Sequence, residues 1–179
     1  MRKARKRVLS ALLAAVLALG LMPSFAFAGE GDPTTPAGVT CNGANDCTHV
    51  AAIENVHYGT LAEAVNAAQG GTETTITLLK DVENGDGIII ESGKNITIDF
   101  DGHTYTVTQN LAGSSGTENQ CFQLLKGSNV TLKDGDIVAG NVDIKMMIQN
   151  YSNLTLDNMT LDATKGANNV NYVCSNNFG

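Results

Sequence analysis

Hydrophobic and polar residues follow two different periods along this chain. Within residues 61–68, apolar side chains recur at positions i, i+3, i+4 and i+7, which predicts one face of a short amphipathic helix. Thr60 and Glu63 have the spacing of a capping box at the start of that helix. From Thr74 onward, β-branched and apolar residues alternate with polar ones, which indicates strands. The pattern therefore predicts a helix over residues 60–70 followed by β-structure.

A pattern of twelve residues occurs three times after the helix, at 88–99, 122–133 and 146–157, and a fourth copy begins at Tyr172. The three complete copies align without a gap. Apolar positions that alternate within each copy are expected to stack on their equivalents and face inward. The Thr and charged positions between them are expected to face outward.

Each complete copy carries an asparagine at the corner between two predicted strands: Asn95, Asn129 and Asn153. Stacked asparagines can pass hydrogen bonds from one copy to the next, and asparagine tolerates the dihedral angles of tight turns. We therefore predict a structural ladder at these three positions. Asn158 lies outside this predicted column.

The repeat predicts an all-β fold. Copies of about 24 residues that contain short strands and no helix are typical of a parallel β-solenoid, in which each coil pairs with the next. Three to four coils fit the length of the chain. An antiparallel sandwich is the alternative, but it does not explain why similar residues recur in register.

The first 28 residues have the features of a secretory signal peptide. Basic residues cluster at the start, an apolar stretch follows over 8–21, and small residues surround Phe27 at the predicted cleavage site after Ala28. The apolar stretch is short for a membrane anchor. We therefore expect a secreted or cell-surface protein with no membrane insertion after cleavage.

The remaining chain divides into two predicted parts. Residues 29–48 are rich in Gly, Pro and Thr and are expected to form a flexible linker. Residues 49–179 are expected to form the N-terminal cap and part of a β-solenoid domain, which we expect to continue beyond residue 179 in a longer protein. The last coil would then be uncapped when this chain is alone, and end-to-end self-association is expected.

The charge of the chain excludes several partners. The formal charge is −7, and cleavage after Ala28 removes five basic and no acidic residues, which leaves −12 and no arginine. Clustered cations are what nucleic acids and other polyanions require. We expect no nucleic-acid partner.

Four residues near the linker allow two interpretations. Cys41 and Cys47 are close in sequence, and in an exported chain they predict a local disulfide. Alternatively, the two thiols could bind a metal together with His49 and His57, although their spacing matches no standard zinc pattern. The disulfide is the favoured interpretation, and we expect no bound metal or other cofactor.

Candidate catalytic residues are few. Asp99, Asp101, His103 and Asp157 are the titratable residues of the repeats that could serve in acid–base chemistry. Structural roles are favoured for them, because Asp101 precedes a glycine in a turn pattern and because Asp99 and Asp157 flank Lys133 in a predicted surface ion ladder. We therefore expect no catalytic residue.

Three segments, at 47–53, 58–65 and 75–82, carry a resemblance to known proteins. They resemble the N-terminal region of secreted surface proteins of gut Gram-positive bacteria, and the chain over 47–179 is similar to right-handed parallel β-helix proteins of the pectin-lyase-like superfamily. The resemblance implies a right-handed parallel β-helix whose first coil is covered by the helix at 60–70. The superfamily includes lyases, hydrolases, adhesins and phage tailspikes, so it does not define an activity.

These observations favour a secreted, non-catalytic β-helix module at the bacterial cell surface. Its ladders of Thr, Asn, Gln and Asp suit many weak hydrogen bonds to hydroxyl groups, so the expected partners are glycans or host or cell-surface polysaccharide. Two other functions stay open: a fragment of a polysaccharide lyase or glycoside hydrolase, and a structural stalk. The lack of arginine after cleavage disfavours a lyase.

Overall fold

A computed structural model of the protein describes residues 38, 47–167 and 170–177. The predicted signal peptide, and the predicted linker apart from residues 38, 47 and 48, lie outside them. Twelve strands and one helix are present in the described residues. Their bounds are β1 Ala51–Ile53, β2 Val56–Tyr58, α1 Leu61–Ala67, β3 Glu73–Leu78, β4 Val82–Asp86, β5 Ile88–Ile90, β6 Asn95–Asp99, β7 Thr104–Gln109, β8 Gln120–Leu124, β9 Asn129–Ala139, β10 Met146–Asn150, β11 Asn153–Asp162 and β12 Tyr172–Asn176.

The helix α1 forms where the sequence predicts it, and its capping box is confirmed. The Glu63 main-chain N–H donates to the Thr60 hydroxyl oxygen at 3.1 Å, and the Glu63 carboxylate accepts from the Thr60 N–H at 3.0 Å. The apolar face buries Leu61, Ala64 and Val65. The helix is shorter than the predicted span of 60–70, because the chain becomes extended at Ala68.

The strands form two sheets. The larger sheet has eight strands in the order β2-β1-β3-β6-β9-β7-β4, with β11 also paired to β9. The smaller sheet has four strands in the order β12-β10-β8-β5, all parallel. All the described residues belong to one compact unit.

The predicted register of the repeats is confirmed in the larger sheet. Asn129 pairs with Asn95 on one side and with Asn153 on the other. Leu132 pairs in the same way with Ile98 and Leu156. Equivalent residues of the three copies therefore lie side by side on neighbouring strands.

The predicted fold, a right-handed parallel β-helix solenoid of three to four coils, is wrong. The larger sheet is mixed, because β1 pairs antiparallel with both β2 and β3 while other pairs are parallel, and this sheet curls into a half-barrel. Strands within residues 51–58 were not predicted from the sequence. This hairpin turns at Glu54, whose φ of 52° is in the left-handed region.

The curl of the larger sheet has a local cause. The long strand β9 pairs with β6 through residues 129–133 and with β7 through residues 136–139. Between these two parts lies Asp134 with a φ of 57°, and Asn158 has a φ of 52° at the equivalent place in β11. A single residue in the left-handed region redirects the strand, as in a bulge. One sheet thus continues around a bend that the repeat spacing alone did not predict.

The third repeat copy is shifted in the smaller sheet. The ungapped alignment pairs Met146 with Phe122, but the structure pairs Ile148 with Phe122 and Asn150 with Leu124. The connection from Asn150 to the next strand is two residues shorter than the equivalent connection after Leu124. The strand therefore slides by two residues, which preserves which face points inward.

The core lies between the two sheets and under α1. Its fully buried side chains are mostly aliphatic and include Ile76, Ile98 and Leu132, which form one column across β3, β6 and β9. Leu156 continues that column on β11 and is 42% exposed. Tyr172 and Val173 on β12 are also exposed. Three of the four large apolar side chains that are exposed among the described residues therefore lie on β11 and β12, and the fourth is Val56 on β2.

Candidate functional site

A sulfur–imidazole cluster lies at the β1–β2 hairpin and consists of Cys47, His49 and His57. The Cys47 Sγ is 2.9 Å from His57 Nδ1 and 3.2 Å from His49 Nδ1. The two imidazole rings meet edge to face, with centroids 6.3 Å apart. One ligand atom from each residue lies within 4.8 Å of the others, which is an arrangement that could hold a metal ion.

The hairpin positions this cluster. His57 is on β2 and pairs with Ala52 on β1, while Cys47 and His49 lie on the segment that enters β1. The main-chain N–H of Val50 donates to the Tyr58 carbonyl at 3.0 Å, which fixes that segment against β2. All three cluster side chains are half-buried.

Cys47 is disulfide-bonded. Its sulfur is therefore not a thiolate in this state. The predicted partner Cys41 lies outside the described residues. The structure thus brings together the three predicted metal candidates it describes, Cys47, His49 and His57, but with the sulfur oxidised.

A groove of about 670 Å³ lies beside this cluster. One wall is the hairpin, with Ile53 and His57, and the floor belongs to β3, with Glu73, Thr75 and Thr77. This volume is within the usual range of small-molecule sites. The groove combines hydroxyl and carboxylate groups with apolar carbon surface.

The outer face of the larger sheet carries three polar columns that begin at this groove. The middle column contains Thr75, Thr97, Thr131 and Thr155, paired in register across four strands. These threonines are exposed or half-buried. One flanking column contains Glu73, Asn95, Asn129 and Asn153, and the other contains Thr77, Asp99, Lys133 and Asp157. We call this surface the polar face.

The predicted asparagine ladder is present in part. The Asn153 side-chain amide donates to Asn129 Oδ1 at 2.8 Å. Asn95 is in register with them, but the hydrogen bonds that the structure shows along this column join only Asn129 and Asn153.

The predicted ion ladder differs in its partner. Lys133 Nζ binds Asp99 Oδ2 at 2.7 Å and Asp134 Oδ2 at 3.1 Å. These two hydrogen bonds, Asp99 first, raise the pKa of Lys133 to about 12. Asp157 pairs with Lys133 in register, but among the described ion pairs Asp134 takes its predicted place.

The other catalytic candidates also have structural partners. Asp101 lies in a turn with a φ of 49°, and its N–H donates to Asp99 at 2.9 Å. His103 Nδ1 contacts Asp81 Oδ1 at 3.2 Å. The Thr104 N–H and the His103 side chain hold the pKa of Asp81 below its usual value. The candidates at Asp99, Asp101 and His103 therefore serve turns and ion pairs.

Two hydrogen-bonded asparagines were not predicted from the sequence. Asn158 donates to Asp134 Oδ1 at 2.9 Å, so it belongs to a column of its own at the bend of the larger sheet. Asn150 is buried and accepts from the Ser152 N–H at 2.9 Å and from its hydroxyl at 2.7 Å. Asn150 also donates to Asn176 at 2.9 Å. The ungapped alignment places Asn158 at the position of Asp134, which precedes Gly135 in a turn-type pair, and this was the available signal for the Asn158 column.

Two cysteines of the repeats are free thiols. Cys121 is buried, and burial raises its pKa to about 12. Cys174 is half-buried, and burial also raises its pKa. Both thiols are therefore protonated at neutral pH, which makes them poor nucleophiles.

These features define a mostly β protein with one polar sheet face that leads into a groove. Comparisons with protein-family models, with curated proteins and with solved structures found no match to this chain. The resemblance to the pectin-lyase-like superfamily stays a prediction from sequence motifs. Among the residues that the structure describes, no helix is long and apolar enough to span a membrane.

Proposed function

We propose that this protein is an exported, non-catalytic module that contacts glycans at the bacterial cell surface. The observation that carries this proposal is the continuity between the polar face and the groove. Thr75 belongs to both, so a chain of sugar units that enters the groove can continue along the threonine column. The signal peptide predicted at residues 1–28 supports export.

The chemistry of the groove favours neutral glycans. Sugars present many hydroxyl groups, and the hydroxyl of Thr75 and the carboxylate of Glu73 can exchange hydrogen bonds with them. The side chain of Ile53 offers apolar surface to the C–H groups of a sugar ring. The predicted mature charge of −12 disfavours polyuronates and other polyanions.

Weak, repeated contacts are the expected mode of binding. Each hydrogen bond to a hydroxyl contributes about 0.5–1.5 kcal/mol. Neighbouring strands lie ~4.8 Å apart, so the threonine column offers such a contact at regular intervals. Extended glycans should therefore bind more tightly than single sugars.

A glycan array probed with this chain tests the proposal. A glycan that binds is then titrated into wild type and into Thr75→Val and Thr97→Val, which keep the side-chain shape and remove the hydroxyl. Each variant should bind about fivefold more weakly, the equivalent of roughly 1 kcal/mol. Thr160→Val is the matched control, because Thr160 is exposed on β11 but pairs with Asp136 outside the polar face.

Three outcomes would overturn the proposal. Absence of binding to any glycan would leave the structural stalk as the better function. Release of new sugar ends from a bound glycan would instead identify an enzyme. Equal affinities of the two face variants and wild type would show that the polar face is not the binding surface.

Self-association through the β11 and β12 edge is a further part of the proposal. Leu156 and Tyr172 are 42% and 57% exposed there, on strands whose outer edges pair with no other strand among the described residues. A second copy would cover this apolar surface. Sedimentation should show a concentration-dependent dimer for wild type and a smaller dimer fraction for Leu156→Lys.

A further inference from the structure

The sulfur–imidazole cluster is poorly explained by hydrogen bonding alone. A disulfide sulfur has no proton and is a weak acceptor. Two imidazole nitrogens nevertheless approach the sulfur of Cys47, at 2.9 Å from His57 and 3.2 Å from His49. Such convergence is more favourable around a cation, where a thiolate and two neutral imidazoles each contribute a lone pair.

We propose that reduction of the Cys47 disulfide creates a binding site for a thiophilic divalent metal ion of the zinc class, with Cys47, His49 and His57 as ligands. Oxidation of the sulfur closes the site, and reduction opens it.

The geometry needs little adjustment to accept the ion. Zinc lies about 2.3 Å from a thiolate and about 2.0–2.1 Å from an imidazole nitrogen, so a tetrahedral site separates sulfur and nitrogen by about 3.5 Å. The observed separations for His57 and His49 are only a few tenths of an ångström shorter. Rotation of the side chains can supply this difference. The fourth position of the metal is then open to water, as in sites with three protein ligands.

The hairpin holds the ligands in place before the metal arrives. His57 is fixed by its strand pairing to Ala52, and the segment with Cys47 and His49 is fixed by the Val50–Tyr58 hydrogen bond. The Lys80 ammonium also donates to the carbonyl of Thr48, between the two ligands. A site supported by a strand pair loses less conformational entropy when the ion binds.

The chemical step that opens the site is a thiol–disulfide exchange with a dithiol reductant. A thiolate of the reductant attacks the partner sulfur, the disulfide bond breaks, and Cys47 leaves as a thiolate. The second thiol of the reductant then attacks the mixed disulfide and releases the partner cysteine as a thiol, so the reductant loses two electrons and becomes a disulfide. The released Cys47 thiolate then becomes the metal ligand beside the imidazole nitrogens of His57 and His49.

Cobalt titration of this chain tests the proposal, because Co²⁺ replaces Zn²⁺ and its absorption reports thiolate ligation. The chain is titrated oxidised and after reduction with a phosphine. Reduced wild type should bind one ion and show a thiolate-to-cobalt charge-transfer band that Zn²⁺ abolishes. The oxidised chain should not show this band. His49→Gln and His57→Gln should bind at least about tenfold more weakly, because each lacks one ligand bond.

The third histidine provides the control. His103 follows β3 in the sequence and contacts Asp81, outside the sulfur–imidazole cluster. His103→Gln should therefore bind cobalt like wild type. If a histidine variant fails to fold, NMR of reduced wild type replaces it: Zn²⁺ should shift the imidazole signals of His49 and His57 and leave those of His103. A band of equal intensity in the oxidised chain, no band after reduction, or cobalt affinities unchanged in both histidine variants would overturn the proposal.

Discussion

The Lys94 ammonium donates to the main-chain carbonyl of Ala68 at 2.7 Å, just beyond the last residue of α1. It also donates to the carbonyl of Val65 at 2.8 Å. The last carbonyls of a helix have no partner within the helix and carry its negative dipole end. Lys94, from the first repeat copy, therefore caps the C-terminal end of the helix that precedes it. Burial lowers the pKa of this lysine.

Removal of this contact should destabilise the protein. Lys94→Met keeps most of the apolar stem and leaves the helix carbonyls without the ammonium. We expect a loss of about 1–2 kcal/mol in the free energy of unfolding, measured by urea denaturation. Lys145→Met is the control at an exposed lysine. Equal losses of unfolding free energy in the two variants would show that Lys94 acts only through the net charge of the protein and not through the helix carbonyls.

The sequence predicted the features that depend on local pattern. The capping box of α1 and the register of the copies on β6, β9 and β11 could be predicted from residue spacing. Spacing along the sequence determines which residues are neighbours within one helix or which face of a strand they share. The antiparallel pairing of β1 with β2 and β3 was not predicted. The hairpin at 51–58 is only two strands of three residues, too short to show a period.

The turn lengths explain the remaining error. An ungapped alignment of the copies assumes equal turns, yet the turn after Asn150 is two residues shorter than the turn after Leu124. Because a shift of two residues keeps the same faces inward, the hydrophobic pattern gave no sign of it. The residues of the polar face were predicted to face outward. The groove at its end was not predicted, because one of its walls is the antiparallel hairpin.

The core column provides a matched pair of leucines. Leu132 is fully buried between Ile98 and Leu156, whereas Leu156 is 42% exposed at the sheet edge. We expect Leu132→Ala to reduce the free energy of unfolding by about 2–5 kcal/mol, because it leaves a cavity. Leu156→Ala should cost well under half of that in urea denaturation of the monomer. Similar costs would contradict the burial of this column.

The buried asparagine of the shifted copy should be more sensitive than the predicted ladder. Asn150 makes three side-chain hydrogen bonds and occupies a core position, whereas Asn129 is exposed and makes one. Asn150→Leu leaves the N–H and hydroxyl of Ser152 without their acceptor, at a cost of about 1–3 kcal/mol. We expect Asn129→Leu to cost less in thermal or urea unfolding. The reverse order would support the ungapped alignment.

The bend of the larger sheet should make stability depend on pH. The Asn158 amide donates to Asp134, and Lys133 binds the same carboxylate, so the pKa of Asp134 lies below its usual value. A carboxyl group whose pKa is lower in the folded state stabilises that state above the unfolded pKa of about 4. This stabilisation is lost as the pH falls through the lower folded value.

Asp134→Asn separates this charge effect from the hydrogen bond. Asparagine tolerates the left-handed φ of 57° and can still accept from Asn158. The variant should be less stable than wild type at pH 7, and the difference should shrink as the pH falls from about 5 to 3, because wild type then loses its charge as well. Urea denaturation at several pH values measures this difference, and Asp143→Asn at an exposed site is the control. A difference between wild type and Asp134→Asn that does not change with pH would mean that the Lys133 ion pair does not stabilise the bend.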